Sequence, residues 1–231
     1  MLADDYYQID GKWYWFKKSG EMVQGWYQPY GDRSELSALW IYADPQSGVL
    51  ATNWKLIDKK WYYFGPWDDW GFASFDMIEP IGQDGAYDYY AFNKDCSMVS
   101  NSWFQYTWFE SATPDWYYLG ADGKAVKGWK QIGGNWYFFD PEYASMWVGP
   151  ATIKGVDYRF APSGAMITGW YKEDSDWYYY KDSGAMAKNE WLQINGKWYY
   201  FDADGKMLSN GTYVFTDKKQ YTFDANGVWV K

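Results

Sequence analysis

A motif of about twenty residues recurs from one end of this 231-residue chain to the other. That recurrence limits the fold more than any other feature. The segments GWKQIGGNWYFFD (128–140), GWYKEDSDWYYYKDSGAM (169–186), WLQINGKWYYFDADGKM (191–207) and YYQIDGKWYWFKKSGEMVQGW (6–26) share one layout. One aromatic is followed seven positions later by another, as in Trp129/Trp136, Trp170/Trp177, Trp191/Trp198 and Tyr6/Trp13. Met146, Met166, Met186 and Met207 fall 20, 20 and 21 residues apart. Less regular copies fill the remainder, about ten in all, with no intervening domain. Such a chain folds by stacking one small unit on the next, each burying a face that it could not bury alone.

Within a copy, KQI-GGN-WYFF reads as two short strands about a Gly/Asn turn, and DADG or KDSG turns the chain into the next copy. No 3.6-residue periodicity is sustained, so little or no helix is expected. A lone hairpin is marginal in water. The expected fold is therefore all-β, a solenoid of stacked β-hairpins forming a single module over 1–231. Irregular repeats with long loops occupy 25–128, and a capping repeat at 211–231 closes the chain. The segment Gly65–Gly85 fits the pattern worst and reads as a loop insertion. Cys96 stands where other copies have Gly.

Aromatic residues make up 25% of the chain, with 19 Trp and 25 Tyr. Such rings bury their faces while presenting an edge, an NH or an OH to water. The net charge of -9 disfavours nucleic-acid phosphates, which need Lys/Arg stripes, and suits a cationic or neutral ligand. His, the commonest acid–base residue near neutral pH and the commonest metal ligand, is absent. A single Cys excludes an internal disulfide and a Cys-based metal cluster. No run approaches the length of a membrane span, and the first residues show no signal peptide. Asp122, Asp182, Asp202 and Asp204 read as turn formers. Asp68, Asp69 and Asp76 match no calcium-loop order. No paired-carboxylate, GxSxG, Cys/His or zinc pattern appears, so no catalytic residue, metal or cofactor is expected.

Side chains alternate faces along a strand, so a row of hairpins offers a row of aromatic niches. Two or three ring faces around a small space suit a quaternary ammonium: their quadrupoles attract the charge, and its methyl groups leave water. The whole chain resembles the choline-binding repeat proteins of the streptococcal, pneumococcal-type cell surface, and the repeats of related phage and bacterial wall lysins. The motif GW…WYYFD…G.M…G carries that resemblance. It implies a choline or phosphocholine ligand displayed on teichoic and lipoteichoic acids. It further implies a non-catalytic, secreted protein held non-covalently on the bacterial wall, without membrane insertion.

In that family a site uses the GW Trp and the WYY Trp of one repeat, the second ring after WYY's Trp in the next, and often the Met. Carried onto this chain, the resemblance gives Trp170, Trp177, Met186 and Tyr200 as the best-matched niche. Next come Tyr6, Trp13, Met22 and Tyr42, then Trp26, Trp40, Leu50 and Tyr63. Trp103, Trp116 and Phe138 make a further niche. Trp129/Trp136 and Trp191/Trp198 keep their pairs, but their third positions read Arg159 and Thr222, so weaker binding is expected there. The copy around Val156, Asp157 and Tyr158 lacks the pair and reads as structural.

Two alternatives stay open. One is a glucan- or carbohydrate-binding repeat module; the other is the wall-targeting part of a lysin. Glucan-type repeats usually read Lys or Thr before YYF. Here that place holds Trp13, Trp61, Trp116, Trp136, Trp177 and Trp198, which favours choline. The resemblance also suggests modulation of choline-dependent wall hydrolases or contact with a host protein. The loops at 28–39, 65–85 and 106–115 are the expected surface for such a partner.

Overall fold

The computed structural model describes residues 2, 4–31, 39–65, 71–83, 86–108, 111 and 113–230, with Gln83 described by its backbone alone. Parts of the three long loops, together with Asp68 and Asp69, lie outside the described residues. Among the described residues there is no helix, in agreement with the all-β expectation. Ten small antiparallel sheets follow one another.

The first five hairpins pair β1 (Asp5–Ile9) with β2 (Lys12–Phe16), β3 (Gly25–Tyr27) with β4 (Ile41–Ala43), and β5 (Asn53–Ile57) with β6 (Lys60–Phe64). Then come β7 (Met77–Gln83) with β8 (Ala86–Phe92), and β9 (Ser102–Tyr106) with β10 (Asp115–Leu119). The next four pair β11 (Gly128–Ile132) with β12 (Asn135–Phe139), β13 (Gly149–Ile153) with β14 (Val156–Phe160), β15 (Gly169–Glu173) with β16 (Asp176–Tyr180), and β17 (Glu190–Ile194) with β18 (Lys197–Phe201). A three-stranded sheet of β19 (Gly211–Val214), β20 (Gln220–Phe223) and β21 (Trp229–Val230) ends the series. The chain divides into two compact units, Met1–Val126 with Glu142–Ser145, and Lys127–Pro141 with Met146–Lys231.

Turn chemistry sets each register. Asn195 and Gly196 have φ of 51° and 78°, the double left-handed pattern that matches the twist of a two-residue hairpin loop. Asp10-Gly11, Gly133-Gly134 and Lys154-Gly155 repeat it. At the β5–β6 turn, Asp58 and Lys59 adopt the same pattern at φ 48° and 66°, so a lysine stands where glycine would be free of strain.

Two devices join hairpins within a unit. The last residue of most second strands is buried: Phe64, Phe92, Phe139, Phe160, Phe201 and Phe223 are all at most 2% exposed. Several lie under a Trp of the preceding hairpin, as in Trp26–Phe64 at 5.8 Å, Trp129–Phe160 at 5.7 Å and Trp170–Phe201 at 5.8 Å between ring centroids. The second device is a backbone hydrogen bond reaching back one hairpin. The Met207 N–H donates to the Trp177 carbonyl at 2.8 Å, Met166 to Trp136 at 2.7 Å and Met98 to Trp61 at 2.8 Å. Each such Met then lies on the turn glycine of the following copy. A Cβ on Gly184 would stand 2.2 Å from the Met166 sulfur, so a side chain there would displace the Met as well as strain a φ of 83°.

The segment Gly65–Gly85 is not a simple loop insertion. Its second half is β7, paired with β8 from Met77↔Phe92 to Gln83↔Ala86. The missing repeat signature has a physical cause: Ile78, fully buried, takes the place of the usual Trp. Cys96 does replace a turn glycine, with φ 64°. Burial and the nearby Asp95 charge push its thiol up to about 12, so it stays protonated and unreactive.

Candidate ligand cages

In β17–β18 the register pairs Trp191 with Tyr200 and Gln193 with Trp198. Opposed residues share a face and neighbours alternate. Trp191, Trp198 and Tyr200 therefore lie on one face of the hairpin, and Tyr199 and Phe201 on the other. The hairpin before it presents Trp170, Trp177 and Tyr179 toward the shared groove, and the rings that answer come from the opposite face, Tyr199 and Phe201. Trp170 stands 6.2 Å from Trp177 at 90°, and Tyr199 lies 4.9 Å from Trp170 at 72°. Together with Met207 these rings line a hollow of about 330 Å³ that reaches Ala225 and Asn226. Trp177 is 40% exposed; the Lys172 ammonium stands 5.7 Å from its ring centroid, and the remaining exposed surface is available to a ligand.

The same construction recurs in the second unit at Trp129 and Trp136, 6.4 Å apart at 82°. Tyr158 lies 4.9 Å from Trp129, and Met166 completes a hollow of about 440 Å³. In the first unit, Trp54 and Trp61 are 6.5 Å apart at 82°, with Tyr90 4.7 Å from Trp54 and Met98 bonded back to Trp61. Trp26 and Trp40 are likewise 6.5 Å apart at 80°, with Tyr62 4.8 Å from Trp26, but Ala73 takes the place of the Met. Right-angled rings with one side open suit a compact cation carrying apolar groups.

Family profiles match the sequence on the same repeats. One, described as "Choline-binding repeat", matches residues 148–191. Another, described as "Putative cell wall binding repeat", matches 5–22, 52–67, 107–125, 127–142 and 189–207. The chain belongs to the choline-binding repeat family. Among solved structures, CbpJ from Streptococcus pneumoniae aligns with a TM-score of 0.65 and 26% identity, covering 98% of this chain and 93% of that one. Choline binding protein F from the same organism gives 0.63 and 25%, covering 98% and 92%. Glucosyltransferase-S of Streptococcus mutans is 28% identical over 84% of this chain, which spans 15% of that protein's length.

With the choline-binding repeat architecture in place, the expected niches can be compared with the observed ones. The Trp170/Trp177, Trp129/Trp136, Trp103/Trp116 and Trp26/Trp40 pairs all form. The third ring is one residue off at Trp170/Trp177, Trp26/Trp40 and Trp129/Trp136. Tyr200 packs across its own hairpin on Trp191 at 5.3 Å, Tyr63 on Trp54 at 5.2 Å, and Tyr42 on Trp26 at 5.2 Å. Phe138 is buried against Trp129 at 5.1 Å and Trp147 at 4.7 Å. Stacked hairpins offer opposite faces to one groove, so the third ring must have the opposite strand parity to the second Trp.

The apolar floor is displaced by one repeat as well. Leu50 donates its N–H to Trp13, not to Trp40, and so belongs with Tyr6 and Trp13. Met22 and Met186 lie on Gly48 and Gly205. Tyr6 and Trp13 are 5.5 Å apart, but their third position is the fully buried Ile41, not a ring. Arg159, the expected obstacle at Trp129/Trp136, points elsewhere. Its guanidinium bonds Glu173 and sits 4.3 Å over the Tyr171 ring. Thr222 is likewise not the third residue at Trp191: Tyr221 lies 5.1 Å away, joined by Phe215 and Phe223 at 5.5 Å. Trp198 beside it is 41% exposed.

The Trp54/Trp61 cage was not among the expected sites, although the seven-residue spacing is present. Its third ring, Tyr90, sits on the hairpin that the reading of 65–85 as a loop had obscured. The β13–β14 hairpin carries Pro150 and Asp157 where a Trp pair would stand. Asp157 is bound by Lys188 at 2.8 Å and by Thr152 at 2.6 Å, and its carboxyl is held below the usual range chiefly by Lys188. Among the described residues no group of three or more Cys, Asp or Glu could hold a metal ion.

Proposed function

We propose that this chain is a non-catalytic anchoring module that holds choline displayed on teichoic and lipoteichoic acids of a bacterial wall, as a secreted protein. The observation that carries this reading is the right-angled Trp170/Trp177 pair closed by Tyr199, with Trp177 two-fifths exposed. A quaternary ammonium placed there meets ring faces on several sides and sheds water from its methyl groups. At roughly 0.5–2 kcal/mol for each ring contact, one cage reaches on the order of -4 kcal/mol, a millimolar affinity. Several cages facing a polymer that repeats the ligand gain strongly through effective concentration.

Occupying wall choline would also compete with choline-dependent wall hydrolases, and the long-loop repeats are where a host protein would be sought. The glucosyltransferase relationship favours testing a carbohydrate reading in parallel. Retention on a tertiary- or quaternary-amine resin, elution by free choline, and a Trp fluorescence change in millimolar choline are expected. Silence in tens of millimolar choline together with binding to dextran would replace this reading with the glucan one. Muralytic activity of the purified chain would overturn its non-catalytic part.

A further inference from the structure

The Trp54/Trp61 cage differs from the others in what surrounds it. A hollow of about 760 Å³ adjoins it, sharing Trp61 and Met98 and lined by Lys59, Lys60, Lys94, Asn93, Asp95 and several serines. Three lysines face Asp95 here, and Asp76 approaches Lys94 from outside the lining, so the wall keeps a single excess positive charge on a chain whose net charge is -9. The hollow at Trp170/Trp177 is lined by no charged residue, with one lysine, Lys172, 5.7 Å from the Trp177 ring centroid, and that at Trp129/Trp136 has only Asp182 among its charged lining residues. Lys60 holds Asp95 at 2.8 Å, and Lys94 is 3.8 Å from Asp76. Among the described residues Lys59 makes no ion pair, yet it occupies a left-handed turn position that most other hairpins give to glycine. A cationic wall beside an ammonium cage repels bare choline and attracts a ligand whose ammonium is followed by an anion.

We propose that the Lys59/Lys60/Lys94 hollow is a phosphate subsite, making the Trp54/Trp61/Tyr90/Met98 cage selective for the zwitterionic phosphocholine group over choline. This inference rests on the choline reading of the cages. The ammonium enters between the rings, and the phosphate lies over Met98 toward Lys59 and Lys94. The lysines act as point charges, not as a bidentate clamp. Contacts of this exposed kind are screened by salt and individually weak, so together they amount to about a threefold to tenfold preference.

The test follows the indole N–H signals of Trp61 and Trp177 by NMR in the full chain, titrated with choline chloride and with phosphocholine. At low salt the preference for phosphocholine is expected to be about threefold to tenfold greater at Trp61 than at Trp177. Lys59→Gly with Lys94→Gln should erase it. Because glycine relieves the turn, a loss caused by Lys59→Gly cannot be assigned to unfolding. Equal preferences at the two indoles, or a preference that survives the double variant, overturn the proposal while leaving the choline reading intact. If choline moves neither indole, the choline reading itself fails. Co-sedimentation distinguishes the carriers of the group: binding to choline-bearing wall but not to phosphatidylcholine vesicles is expected, and equal binding to vesicles overturns the wall as the source.

Discussion

The second unit and the first build the same hairpins but use the grooves differently. From Trp129 to Met207, pairs of Trp are closed by a Tyr from the next hairpin, and the second Trp stays about two-fifths exposed. In the first unit the corresponding positions are partly taken by aliphatic residues. Ile41 and Ile78 are fully buried, and Leu50 and Ala73 replace Met. One scaffold therefore yields either an open cage or a filled core. An aromatic pair leaves a gap between its faces; a branched aliphatic side chain fills that gap and gains burial instead.

The comparison can be broken most severely at the shared core. Phe201→Ala removes a fully buried ring under Trp170 and should cost about 3–5 kcal/mol of stability, read by denaturant unfolding. Trp177→Ala, at an exposed ring, should leave the midpoint nearly unchanged while abolishing the choline response of its cage. Choline titrations of Trp177→Ala and Trp198→Ala rank the two C-terminal niches. The Trp177 variant is expected to lose more, because Trp170, Tyr199 and Met207 are already placed around that ring.

The Pro150/Asp157 groove of the second unit, a hollow of about 270 Å³ without a Trp pair, offers a way to build a cage. Pro150→Trp with Asp157→Trp, opposite Tyr178 and Met186, should raise the number of bound cholines by one in equilibrium dialysis. An unchanged count would show that ring composition alone does not make a cage. The smallest effect concerns acid. Hydrogen bonds from Lys60 and Ser97 hold the Asp95 carboxyl at about 2, below its ordinary 3.8. Its contribution is complete above about pH 4 and is lost as pH falls toward 2. Wild type and Asp95→Asn should therefore differ slightly in thermal midpoint at neutral pH and converge in acid.

Much of this was legible in the sequence, because a repeat that cannot bury its own face must stack. The Trp pairs and the turn glycines could be read from spacing alone. The third ring could not be read from spacing, because its identity depends on which face the next hairpin turns toward the groove. Strand alternation settles that in favour of Tyr199 over Tyr200 and Tyr158 over Arg159. The Trp54/Trp61 cage stayed hidden for another reason: Ile78 removed the Trp that marks a copy, so β7 and β8 did not read as the neighbour supplying Tyr90. Met positions misled similarly, since the backbone bond from Met207 reaches Trp177 in the previous hairpin, not Trp198 in its own.

The most direct test of this account is the choline affinity reported by the Trp177 indole in Tyr199→Ala and Tyr200→Ala. Tyr199→Ala should weaken it about threefold to thirtyfold, the worth of one ring contact. Tyr200→Ala, which removes packing on Trp191 and Phe215, should leave that affinity unchanged while lowering the thermal midpoint. Loss of affinity in Tyr200→Ala with none in Tyr199→Ala would contradict the opposite-face construction of the cages.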